Sequence, residues 1–234
     1  MKKDESGIVV TGAGGLQQIA NSLKITDKLL SERKIESVII GEQEWMTRNL
    51  NVSRFKNGDT IPEITDPEEW ATAGREGKPA WCYYDNDPEN GKVYGKLYNW
   101  YAVNDDRGLA PDGWRIPKHE DWKTLLQQLM NMESTVVEQE IPQGVDWRAT
   151  DWGAVSNPET LNDFGFSYML GGSINYEGEF HGFKESEFWW TATDFDSNDA
   201  RIWLLDIDLV PDLAWFPCSK RNGSSIRCVK ESTN

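Results

Sequence analysis

The chain has 234 residues, enough to bury a sizeable core, yet only 38% of it is hydrophobic while 12% is aromatic, so its twelve Trp and their companions must supply much of that core. A formal charge of -15 without any basic run argues against nucleic acid as a partner, because a phosphate backbone needs a basic stripe. No stretch approaches the roughly 20 apolar residues of a membrane span, and Met1-Lys2-Lys3-Asp4-Glu5-Ser6 lacks the apolar centre of a signal peptide.

Residues 1–37 read as a polar N-terminal tether with a short helix. Lys2 to Gly15 is polar and Gly-rich, then Leu16, Ile19, Ala20 and Leu23 recur with the spacing of one helical face. Residues 38–234 read as the main domain. Ser37 to Gly41 predicts a strand ended by a turn, and Glu44 to Val52 a second extended segment. Asp66-Pro67-Glu68-Glu69 is a helix start: an N-cap, a proline at the first helical position and acidic residues in the first turn, with Gly74 as the stop. Trp81 to Tyr84 predicts a short strand, followed by a polar turn from Asp85 to Gly91.

After Pro117 the stripe of Trp122, Leu125, Leu126, Leu129 and Met130 predicts a core-packed helix. Residues 134–163, with Pro142, Gly144, Gly153 and Pro158, predict long irregular connections with room for one helical turn. Gly171-Gly172 and Gly178 mark bends, and strands are expected at Phe188 to Thr193, Ala200 to Asp206 and Ser225 to Val229. The last third has the look of a sheet covered on both faces.

Four ordered motifs form a pattern: Gly41-Glu42-Gln43-Glu44-Trp45-Met46-Thr47-Arg48-Asn49-Leu50, Gly95-Lys96-Leu97-Tyr98-Asn99-Trp100-Tyr101-Ala102-Val103, Ala110-Pro111-Asp112-Gly113-Trp114-Arg115-Ile116-Pro117 and Ser225-Ile226-Arg227-Cys228-Val229. From about Val38 to Glu231 the chain resembles the Fibrobacter succinogenes major paralogous domain. The resemblance implies an α+β, C-type-lectin-like mixed fold, related to that of formylglycine-generating enzymes, with small twisted antiparallel sheets, about two core helices and long irregular loops. It also implies an exported lipoprotein of the outer membrane or cell surface in Bacteroidetes-like bacteria, with Met1 standing where a lipidated Cys would be and membrane contact only through that anchor. Lys118 departs from the pattern, which has a Ser or Thr cap at that point.

For chemistry the residues offer little that is patterned. Cys82, Cys218 and Cys228 lack metal-ligand spacing. Cys218 and Cys228 either form a disulfide in an oxidising compartment or stand with Cys82 as buried, inert thiols. Without a close pair of reactive thiols an oxidase is poorly supported. His119 and His181 have no nucleophile motif beside them and read as surface histidines.

Asp194-Phe195-Asp196-Ser197-Asn198 and Asp85-Asn86-Asp87-Pro88-Glu89 begin like calcium loops but lack the turn glycine, so they read either as Asx turns or as incomplete calcium sites. Otherwise no cofactor is expected. Stacking aromatics beside polar side chains make Trp81, Tyr83, Tyr84, Asp85, Asn86 and Asp87 one candidate ligand-binding set, and Trp190, Asp194 and Asp196 another. Burial of most indoles in the core is the competing reading. The functional expectation is a non-enzymatic surface module binding glycan or a surface protein. The alternatives are a purely structural part of a surface assembly and, third, a hydrolase or oxidase.

Overall fold

The computed structural model describes residues 35–132, 159–207 and 210–232. The tether, its short helix and most of the expected irregular stretch from 134 to 163 lie outside those residues. Two sheets organise the described part. The first holds β1 (Ser37–Ile40), β2 (Gln43–Met46), β12 (Val229–Lys230) and β5 (Trp114–Arg115), in that order, all antiparallel.

The second sheet runs β10 (Val210–Ser219), β9 (Asp199–Asp206), β8 (Ser186–Asp194), β6 (Gly171–Ile174), β11 (Gly223–Ser224), β4 (Leu97–Asn99) and β3 (Trp81–Cys82), with β7 (Phe180–Phe183) paired to β6. Its pairs are antiparallel apart from β6 with β8. Among the described residues the helices are α1 (Pro67–Arg75), α2 (Pro88–Tyr94), α3 (Trp100–Val103), α4 (His119–Met132) and α5 (Glu159–Asp163). Short helices, mostly antiparallel sheets and connecting loops make this an α+β domain.

Local chemistry explains the helix starts. Asp66 accepts from the amides of Glu68 and Glu69 at 2.9 and 3.0 Å, satisfying two otherwise orphaned donors ahead of α1. Asp87 does the same for Glu89 at 2.9 Å, so the expected polar turn from Asp85 to Gly91 is instead a 3-10 turn leading into α2. Ahead of α4 the Ser or Thr half of a capping box is absent at Lys118, and Asp121 supplies the other half: its carboxylate reaches back and accepts from Lys118 N at 2.6 Å. The same carboxylate holds Arg115 through both Nη groups at 2.6 and 2.7 Å, tying the Gly113 to Pro117 turn to the helix.

The core is a run of rings. Trp122 on α4 has no exposed surface, and its ring centroid lies 5.0 Å from Trp45, 5.7 Å from Phe166, 5.2 Å from Trp189 and 5.8 Å from Trp203. Such pairs add about 0.5–1.5 kcal/mol each beyond area burial. Leu125, Leu126 and Leu129 complete the buried stripe read from the sequence. From Trp203 the stack continues to His119 at 5.4 Å and from there to half-buried Trp215 at 4.8 Å. His119 is therefore buried in an aromatic column, which corrects its reading as a surface residue.

The segment Ser225 to Val229 is the other correction. Only its end is a strand; the rest is a buried connector between the sheets. Ser225 O accepts from Trp190 N at 3.0 Å on one side, while Ile226 O and Cys228 O accept from Leu50 N and Met46 N at 2.8 and 3.0 Å on the other. Gly171-Gly172 is not a bend but the start of β6. Gly172 sits at φ +67°, where an added Cβ would lie 2.5 Å from His181 O and 2.7 Å from the Tyr84 ring.

Candidate binding surface

The motif residues turn inward. Lys96 places its ammonium 4.0 Å from the Trp81 ring centroid and 5.3 Å from that of Tyr83, and donates to Ser53 Oγ at 2.8 Å. Burial pulls the Lys96 ammonium down to about 8, with Glu63 opposing the shift. Tyr98 OH donates to Val52 O at 2.7 Å, and Asn99 Oδ1 accepts from Ala80 N and Ala102 N at 3.0 and 3.1 Å. Trp100 Nε1 donates to Thr191 O at 3.0 Å. The motif around these residues thus builds the junction of β3, β4 and β8.

Most of the first candidate set joins this framework. Trp81 is buried, its Nε1 donates to Ile61 O at 2.9 Å, and Lys96 covers its ring. Tyr84 is buried too, stacked 4.4 Å from Phe183. Tyr83 is half-buried and lies against Gly91, where a Cβ would meet its ring at 2.1 Å. Neither Trp81 nor Tyr84 can stack on a ligand. Asp85 and Asp87 are exposed and Asn86 partly so; Asp85 and Asn86 occupy φ of 52° and 56°, and Asn86 Nδ2 ties the turn to Thr65 O at 3.0 Å.

The second set divides the same way. Trp190 is fully buried, with Nε1 donating to Tyr98 O at 2.8 Å, and burial removes it from any stacking role. Asp194 and Asp196 stay exposed at the β8–β9 tip. Asp196 Oδ1 accepts from Asn198 N and Asp199 N, both at 2.8 Å, an Asx turn whose amides hold the carboxyl below its usual range.

A cation does occupy this loop, and it is covalently part of the chain. Lys220, only 7% exposed, brings its Nζ to 2.5 Å from Asp194 Oδ1 and 2.7 Å from Asp196 O, 4.5 Å above the Trp100 ring. Its own amide donates to Asn198 O at 2.9 Å. Oxygen donors that the sequence suggested for calcium thus converge on an ammonium. Among the described residues no cluster of three or more His, Cys, Asp or Glu has the arrangement to hold a metal.

Of the two readings of the cysteines, the structure shows free thiols at Cys82, Cys218 and Cys228. Cys218 lies on edge strand β10, where it accepts from Asn222 Nδ2 at 3.2 Å, whereas Cys228 is buried in the connector leading into the other sheet. Burial pushes both thiols up to about 12, and that of Cys82 higher still. Thiolate nucleophiles are correspondingly scarce.

What surfaces instead is the end of the aromatic column, which sequence reasoning missed. Arg201 on β9 lies with its guanidinium 4.6 Å from the Trp215 ring and 5.8 Å from that of Phe195, a ring 47% exposed. Among the described residues Arg201 has no ion-pair partner, and its Nε is buried without an acceptor. A second, smaller arrangement places Arg221 5.0 Å from the ring of Tyr176, which is 42% exposed. Along α1 runs an open groove of about 370 Å³ lined by Ile64, Ala73, Thr72, Lys78 and three glutamates, with no ring on its walls.

The fold and surface together define an aromatic-cored α+β domain. The model of the Fibrobacter succinogenes major domain matches residues 38–230, and the chain belongs to that family. Among curated proteins no sequence matches it.

Proposed function

We propose that this chain is a non-enzymatic binding module that recognises glycan at the β8–β9 hairpin tip, in the exported, surface-anchored setting that the family resemblance implies. One observation carries the reading: Phe195 stands 47% exposed at the end of an aromatic column running through Arg201 and Trp215 into the core. A ring face supported from behind by packed neighbours loses little conformational freedom on binding, the condition for useful affinity from a small contact. Lys220 supports the same reading by pinning the adjoining loop from within the chain.

A glycan and polysaccharide array probed with the wild type and with Phe195→Ala tests this. Selective retention by the wild type, weakened at least several-fold by the substitution, is the expected result. Retention of nothing by the wild type returns the domain to a purely structural role.

A further inference from the structure

We infer that the Phe195, Arg201 and Trp215 surface takes an anionic saccharide, its carboxylate or sulfate held by the Arg201 guanidinium. The inference rests on the binding-module reading above and adds the charge class of the ligand. In a chain of net charge -15, carboxylates outnumber cations, yet Arg201 has no carboxylate partner among the described residues. The guanidinium lies 4.6 Å from the Trp215 centroid and 5.8 Å from that of Phe195, and neither ring supplies an oxygen to accept its N–H groups.

Arg201 makes no side-chain hydrogen bond among the described residues, and because Nε is buried, the two Nη groups are the donors that remain for a ligand. A paired donor set beside an exposed ring matches a sugar that offers both a pyranose face and an anionic group with two accepting oxygens. Arg221 lacks this arrangement because only Tyr176 flanks it.

The acidic surroundings do not forbid an anion. Asp194 is paired with Lys220 at 2.5 Å, and Asp196 is engaged by two backbone amides. Charges farther than about 8 Å are largely screened at physiological salt. The net charge instead rejects polyanions that fail to reach Arg201, so binding depends on that one contact.

Affinity electrophoresis of the full chain in gels containing polygalacturonate, its methyl-esterified form, sulfated dextran or neutral dextran decides the matter. Retardation by polygalacturonate or sulfated dextran, and not by the esterified or neutral polymer, is expected; which of the two retards separates carboxylate from sulfate. Arg201→Gln raises the Kd about ten- to a hundredfold, and Arg201→Lys falls between, with melting temperatures unchanged in both. Equal retardation by the neutral polymers, or an Arg201→Gln protein that binds like the wild type, overturns the inference while leaving the module reading intact. Retardation by none of the four polymers together with an empty array overturns both.

Discussion

Arg227 Nε donates to Asn49 Oδ1 at 3.0 Å, joining residues 178 positions apart. Trp189 Nε1 donates to the same oxygen at 3.2 Å, and Asn49 Nδ2 in turn donates to Glu187 Oε1 at 2.6 Å. Glu187 is fully buried and also accepts from Gly171 N at 2.8 Å. Arg227 further donates to Met46 O, Phe166 O and Ser167 O. The Asn49 amide thus bridges two buried groups of opposite charge. Burial pulls the Arg227 guanidinium down to about 10 and pushes the Glu187 carboxyl up, while each charge partly restores the other.

Asn49→Ala removes the shared acceptor and the donor to Glu187 while leaving both charges buried. The expected loss is about 3 kcal/mol or more, within the range for breaking a buried charged network. Urea unfolding monitored by Trp fluorescence checks it. A change in midpoint worth under about 1 kcal/mol contradicts the network's importance.

Lys96 gives a pH signature with a defined sign. Its pKa is about 8 in the folded protein against a reference of 10.5, so between those values the unfolded chain binds more protons and this group's contribution to stability rises with pH. Below pH 8 its full burial penalty is present. The raised thiols and Tyr98 act in the opposite direction, so the comparison must isolate Lys96. The stability difference, wild type minus Lys96→Met, is expected to increase from pH 8 to 10.5; a flat difference contradicts the assignment.

Replacing Lys220 by Met leaves Asp194 without its partner and the 194–198 loop without its internal cation. Faster hydrogen exchange of the Asn198 and Asp199 amides is expected, with little change at β4. In the wild type neither calcium nor EDTA is expected to move the melting temperature. A calcium-dependent rise of several degrees shows instead that the loop uses metal.

All three thiols are expected to react slowly with a disulfide reagent in the native state and fast once unfolded, because burial raises each pKa. A non-reducing mass two protons below the reduced value contradicts the free-thiol arrangement.

How much of this could be read from the chain depended on the range of the interactions. The α1 start was legible because Asp66 caps amides two and three residues on. The α4 stripe was legible because helical spacing is local and strongly periodic. Strand β10 escaped notice because Pro211 and Pro217 interrupt its pattern and demote it to an edge.

The candidate residues failed for a different reason. Composition shows that most indoles must be buried but does not say which, and Trp81 and Trp190 prove to be core while Phe195 and Trp215 reach the rim. Lys220 beside Asp194, and Arg201 between two rings, are made by pairing β8, β9 and β10. No spacing within the sequence announces such neighbours.

Backbone and indole NMR during titration with trigalacturonate tests the assignment of recognition to the hairpin tip most directly. Shifts are expected to cluster at Phe195, Arg201 and Trp215, with the indole N–H signals of Trp81 and Trp190 unmoved. A silent hairpin tip, or shifts centred on Trp81 or Trp190, contradicts it.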